Sequence, residues 1–150
     1  MRTFLDSGVL LTAWKGESRS AEAAEMVLDD TSREFVTCQM VKLELLPKPT
    51  YFNQLDELAF YNTHFEQVKQ EEPLSEGLAR EALALACAHG LAAADALNMA
   101  AALRLKAQEF VTTEAKGKPL FRVPGIKVTS LHVAAKTPAP PASPRSSGSN

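Results

Sequence analysis

The sequence predicts an α/β domain with a mostly parallel sheet covered by helices on both faces. Short strand-like segments alternate with longer helix-like ones along the chain, the order that produces parallel pairing. The stretch Leu91–Leu103 is almost all small or apolar residues, so its helix can approach a sheet closely. Two acids, Asp6 and Glu114, each follow an apolar strand-like run, and such sheets bind ligands beyond their C-terminal strand ends.

Residues 2–5 read as a strand, and Val9-Leu10-Leu11 begins a helix after the turn-forming Ser7-Gly8. Ser18 or Ser20 caps a second helix whose Ala24, Val27 and Leu28 share one face. Glu34–Cys38 is a strand, and Gln39–Leu46 is a helix that Pro47 stops or kinks. Thr50–Tyr61 is expected as a further helix, His64–Lys69 as a short strand and Glu71-Glu72-Pro73 as a loop. Ser75–His89 is a helix ending at Gly90, a residue suited to a left-handed cap, and Ala93–Lys106 is another. Glu109–Thr113 and Ile126–Ser130 are the last strands.

A chain of 150 residues suits one domain, since about 100–200 residues per domain is usual. The expected division is a domain over 1–133 and a disordered Pro/Ser-rich tail over 134–150. The tail carries only Lys136 and Arg145, so the first 133 residues hold 14 bases against 18 acids. That mild acidity argues against a general nucleic-acid coat but allows an enzyme that grips a few phosphates locally. No apolar run reaches membrane-spanning length and no signal-peptide core is evident, so a cytoplasmic protein is expected. Cys38 and Cys87 lack CxxC spacing and are expected as a reduced, buried pair.

Chemistry is expected from Asp6, Glu44, Asp95 and Glu114. Singly, each has an ordinary explanation: a turn or cap for Asp6, an exposed helix position for Glu44, a helix-dipole partner for Asp95, a turn for Glu114. Together they read as four buried acids without matching buried bases, which a divalent cation would hold. Ser7, Thr112 and Thr113 add hydroxyls, and Asn98, one turn after Asp95, is placed to bond Asp95 or a substrate oxygen. An all-oxygen set suits Mg²⁺ or Mn²⁺ rather than zinc or copper. His64, His89 and His132 are far apart, each at a segment end where a solvated histidine is common. Neither GxxxxGK[ST] nor GxGxxG opening a helix is present.

Phe4-Leu5-Asp6-Ser7-Gly8-Val9-Leu10, Val41-Lys42-Leu43-Glu44-Leu45-Leu46, Ala94-Asp95-Ala96-Leu97-Asn98-Met99-Ala100 and Phe110-Val111-Thr112-Thr113-Glu114 occur in an order and spacing that resembles the PIN-domain family. The likeness is closest to the VapC-type toxin ribonucleases of type II toxin–antitoxin systems and covers residues 1 to 133. It implies a three-layer α/β/α sandwich and metal-dependent hydrolysis of RNA. It also implies a cognate antitoxin and a homodimer. Asp6, Glu44 and Asp95 match the family's three principal acids, Glu114 the fourth, and Thr112 the hydroxyl two positions before it. The fourth acid is usually Asp, so Glu114 would displace or weaken a second ion. Ser7-Gly8 stands where Thr-Asn is typical, which is expected to loosen the turn after Asp6.

Lys15, Arg19, Lys42, Lys116 and Lys118 flank the acids and are candidates for phosphate contacts. The alternative to a ribonuclease is a catalytically weakened or inactive PIN module that binds RNA or a partner protein. A nuclease for structured DNA is a third reading.

Overall fold

The computed structural model describes residues 1–133; the tail expected over 134–150 lies outside them. Five strands form one sheet: β1 (Arg2–Leu5), β2 (Glu34–Cys38), β3 (Gln70–Glu72), β4 (Glu109–Thr112) and β5 (Lys127–Ser130). Their order is β3-β2-β1-β4-β5, and every pairing is parallel. The chain therefore builds outward from β1 to β3, then returns to lay β4 against the other side of β1. The switch point lies between β1 and β4, where Leu5 pairs with Val111.

Helices cover both faces, as parallel pairing requires. α1 (Ser7–Lys15) and α2 (Arg19–Leu28) connect β1 to β2, and α3 (Gln39–Leu45), α4 (Pro47–Tyr51) and α5 (Leu55–Gln67) connect β2 to β3. α6 (Glu76–His89) and α7 (Ala93–Arg104) lead to β4, and a short 3-10 turn over Pro119–Arg122 precedes β5. The period-2 alternation of the strands divides the core in two. Phe4, Val36 and Phe110 point to the face that packs on Val41, Leu78 and Met99. Leu5, Phe35 and Val111 point to the other, against Val9, Ala13 and Ala24. Phe4 and Phe110 stack at 5.2 Å across the β1–β4 seam, pinning the two strands that carry the switch point.

Local signals explain most boundaries. The Ser18 and Ser75 hydroxyls each accept a backbone N–H at 3.1 Å to start α2 and α6. Gly16 and Gly90 end α1 and α6 at φ +66° and +74°, where a Cβ would be strained. Pro47 stops α3 and opens α4 at a position where its missing N–H costs nothing.

Between Thr50 and Gln70 the structure differs from expectation. The helix expected over Thr50–Tyr61 is broken at Phe52–Gln54, where Asn53 turns to φ +53°. α5 then runs through Gln67, so the strand expected over His64–Lys69 is helix and loop. Tyr61 and His64 lie one helical turn apart and both are buried, a helical rather than an alternating pattern. β3 occupies Gln70–Glu72 instead of the expected loop, pairing Glu71 with Thr37. As an edge strand it can carry two glutamates, which reach Lys42 and Arg104. Cys38 is buried but Cys87 lies exposed on the outer side of α6, so the two are not a buried pair. His64 is also buried, edge-on to Phe35, rather than solvated.

The N-terminal ends of the strands hold a separate polar network. Glu109, nearly inaccessible, pairs with Arg33 and lies 3.8 Å from Lys127, and Arg33 also reaches Asp30 and Thr3. Against burial, the Thr129 hydroxyl, then Arg33 and Lys127, hold the Glu109 carboxyl below its ordinary range.

Candidate metal centre

Asp6 ends β1 and caps α1, because the chain must turn there from extended to helical backbone. Its Oδ1 accepts from Ser7 N–H at 2.9 Å, and its own N–H donates to Val111 O at 2.9 Å. Its Oδ2 accepts from the Thr112 hydroxyl at 3.0 Å, and the same hydroxyl accepts from Glu114 N–H at 3.1 Å. The Thr112 side chain, fully buried, thus fixes two acid-bearing segments relative to each other. The expected loosening after Asp6 does not occur. α1 approaches β4 so closely that a Cβ on Gly8 would stand 2.6 Å from Thr113 Oγ1. Ser7 contributes its backbone N–H to this turn.

Glu44 comes from α3 and Asp95 from the first turn of α7. The Asp6 carboxyl is pushed up to about 7 by burial first and then by the negative fields of Asp95 and Glu44, with Thr112 and Ser7 opposing. Burial raises Asp95 also. Glu114 is raised by burial and by Asp95, against a lowering by Lys118. The four expected acids therefore share one electrostatic neighbourhood at the switch point, and among the described residues no cation opposes the rise at Asp6.

Two expectations about them need correction. They are not four buried acids: Asp6 is buried, Asp95 and Glu114 are half-buried, and Glu44 is exposed. The leucines beside Glu44 divide the helix between core and solvent, Leu45 buried and Leu43 exposed, so the carboxylate reaches open cleft. Asn98 bonds neither Asp95 nor open cleft. Its Nδ2 donates to Glu44 Oε1 at 3.0 Å, bridging α7 to α3, while its buried Oδ1 has no partner.

Among the described residues, no three His, Cys, Asp or Glu side chains are drawn into a ready metal-holding group. Repulsion between the carboxylates opposes closer approach. The oxygen-only donor set, the absence of a cation among the groups acting on Asp6, and the partnerless Asn98 Oδ1 fit a hard divalent ion nonetheless.

The basic candidates separate. Lys42 is committed to Glu71 and to the Phe65 ring, while Lys118 acts on Glu114 from the rim. Sequence reasoning missed Lys48 and Trp14. With Lys15, they line a groove of about 390 Å³ that also takes in Glu44. They arrive from different helices, Trp14 and Lys15 from α1 and Lys48 from α4. A second groove of about 810 Å³, lined by Leu43, Leu46, Tyr51 and Leu74, lies away from Asp6 and Asp95.

A parallel sheet with acids gathered at its switch point defines a doubly wound α/β domain. The PIN-domain profile matches residues 3–118, and the chain belongs to that family. No curated protein matches it in sequence. Solved structures do match in fold. VapBC2 from Rickettsia felis, bound to a DNA fragment from its promoter, is 14% identical with a TM-score of 0.65, covering 87% of this chain and 98% of that one. A toxin–antitoxin complex from Klebsiella pneumoniae is 17% identical with a TM-score of 0.63, over 87% and 98% of the two chains. FitAcB from Neisseria gonorrhoeae is 18% identical with a TM-score of 0.58, over 86% and 97%. The fold is thus the VapC-like α/β/α sandwich.

Proposed function

We propose that this PIN-domain chain is a metal-dependent endoribonuclease, the toxin of a toxin–antitoxin pair, working in the cytoplasm as a homodimer. The observation that supports the reading is that Asp6 lies in the negative fields of Asp95 and Glu44, and Glu114 in that of Asp95, at the β1–β4 switch point. The likeness to VapBC2 from Rickettsia felis and to a toxin–antitoxin complex from Klebsiella pneumoniae supports the antitoxin partner. Among the described residues no single helix is long and apolar enough to cross a membrane.

Asp6, Glu44 and Asp95 would hold Mg²⁺ or Mn²⁺, with Glu114 completing the site from the β4 end. When bound, the ion supplies Lewis-acid stabilisation of the phosphate's charge and makes a water nucleophilic at neutral pH. The chain's own contribution is positioning. Thr112 fixes the Asp6 carboxylate, and Asn98 fixes Glu44. Gly8 lets α1 close on β4, and Lys118 offers a positive charge at the rim.

The test is cleavage of single-stranded RNA across a Mg²⁺ and Mn²⁺ titration, with matched DNA in parallel. Cleavage of RNA that requires the ion and disappears in Asp6→Asn and Asp95→Asn supports the reading. Unchanged activity in both folded variants overturns it. The looseness of the carboxylate cluster favours one competing reading, a PIN module that binds RNA or protein without cutting. Binding of RNA with no cleavage at any ion concentration would establish that alternative.

A further inference from the structure

Trp14 sits near the end of α1, on the same helix that Asp6 caps, about 12 Å along the axis from it at 1.5 Å per residue. It is held against Phe60, with ring centroids 5.7 Å apart, yet remains 37% exposed. The indole borders two hollows. One, of about 390 Å³, is lined by Lys15, Glu44, Lys48, Gln54 and Glu57 as well as Trp14. The other, of about 480 Å³, shares Trp14, Gln54 and Glu57 with it. Both volumes lie in the range of small-ligand pockets, roughly 300–1,000 Å³.

From this juxtaposition we propose that the Trp14 groove is a nucleotide-binding subsite. In it, an unpaired base stacks on the indole while Lys15 and Lys48 meet the backbone phosphates beside it. The inference rests on the ribonuclease reading and deepens it, assigning to this groove the contact with an unpaired nucleotide next to the cleavage site. Glu44 is the hinge of the proposal, since it belongs both to the acid cluster and to the groove wall. A strand whose scissile phosphate lies at the carboxylates continues into the groove, and a short unpaired stretch bridges the separation. A duplex cannot offer a free base face there. Single-stranded recognition elsewhere combines these two elements, an aromatic platform and flanking ammonium groups. A segment of a partner protein is the competing occupant. The RNA is favoured because the groove opens directly onto the acid that serves the cleavage site. Gln54 completes the wall with an acceptor for a base's amino group, while Glu57 Oε2 accepts from the Tyr61 hydroxyl at 2.6 Å.

Trp14 is the chain's single tryptophan, so its emission reports this groove alone. The experiment titrates full-length Asp95→Asn protein with a short single-stranded oligoribonucleotide and with a blunt RNA duplex, following tryptophan fluorescence. In parallel, cleavage kinetics are measured for wild type, Trp14→Ala, Trp14→Phe and Lys48→Glu. The expected result is a fluorescence change with the single strand and none with the duplex. Trp14→Ala is expected to raise KM about tenfold, as the loss of one stacked base would, with kcat nearly unchanged. Trp14→Phe keeps a ring and stays close to wild type, and Lys48→Glu raises KM with a weaker salt dependence. Unchanged emission with the single strand overturns the subsite, whichever occupant the groove then takes. So does wild-type KM in a folded Trp14→Ala. If wild type cleaves no RNA at all, the ribonuclease reading has failed, and the fluorescence titration still decides the subsite.

Discussion

The Thr112 hydroxyl donates to Asp6 Oδ2 at 3.0 Å, a bond between residues 106 apart in sequence that joins the C-terminal ends of β1 and β4. It also lowers the proton affinity of a carboxyl that burial and its acidic neighbours raise to about 7. Thr112→Val removes the donor and keeps the shape. The loss of a buried bond to a charged group costs about 1.5–3 kcal/mol. The cleavage–pH profile of the variant is expected to move toward higher pH relative to wild type, and paired profiles check this.

Asp6→Asn and Asp95→Asn should each reduce ion-dependent cleavage at least about 100-fold, since each removes an anionic ligand from a charge-stabilised reaction. Circular dichroism should show both folded. Mn²⁺ should raise the melting temperature of wild type and have little effect on either variant, because binding to the folded state alone is what stabilises it.

Without a divalent ion, the acid cluster carries a stability cost of definite sign. The folded-state pKa of Asp6 is raised from 3.8 to about 7. Its stabilising contribution is therefore complete below the unfolded value and is lost as pH rises through about 7. Asp6→Asn in a chelator should thus melt higher than wild type at pH 8, by an amount on the order of 2–4 kcal/mol. The difference should vanish near pH 4, and thermal melts across that range decide it.

His64 has the opposite dependence. It is buried with an unpartnered Nδ1, and burial lowers its pKa from 6.5 to about 4. The unfolded chain takes up a proton first, so stability is full above pH 6.5 and falls as pH drops toward about 4. The loss should approach roughly 3 kcal/mol. A His64→Phe variant should lack this component, which urea melts at pH 7 and pH 4.5 would show.

Asn98→Ala should test whether Glu44 must be held. Glu44 is exposed, so losing the Asn98 bond should cost only about 1 kcal/mol of stability. Cleavage should fall about tenfold through a lower kcat, and Asn98→Gln should not restore the geometry. A variant with wild-type kcat would remove Asn98 from the positioning network.

The long-range plan was legible because strand-like runs such as Phe4-Leu5 and Phe110-Val111 are apolar on both faces, as buried parallel strands must be. The positions of Asp6 and Glu114 followed from the same pattern. What misled was local. His64–Lys69 reads as a strand along the chain, but His64 packs beside Tyr61 on one helical face and α5 runs through Gln67. β3 is made of Gln and Glu, residues with little strand preference, and forms because the edge of β2 is there to be paired. Trp14 comes to the groove from α1 and Lys48 from α4, so their meeting with Glu44 is tertiary and no spacing along the chain encodes it.

The placement of β1 in the middle of the sheet also governs when the cleft can come into being. The first strand synthesised must wait for a neighbour that begins at Glu109, so Asp6 has no Thr112 to meet while the nascent polypeptide is still short. A ribosome-bound fragment ending before that point holds every residue of β1, β2 and β3 and still lacks the seam. The Asp6–Thr112 seam is therefore withheld until translation of the domain is nearly finished.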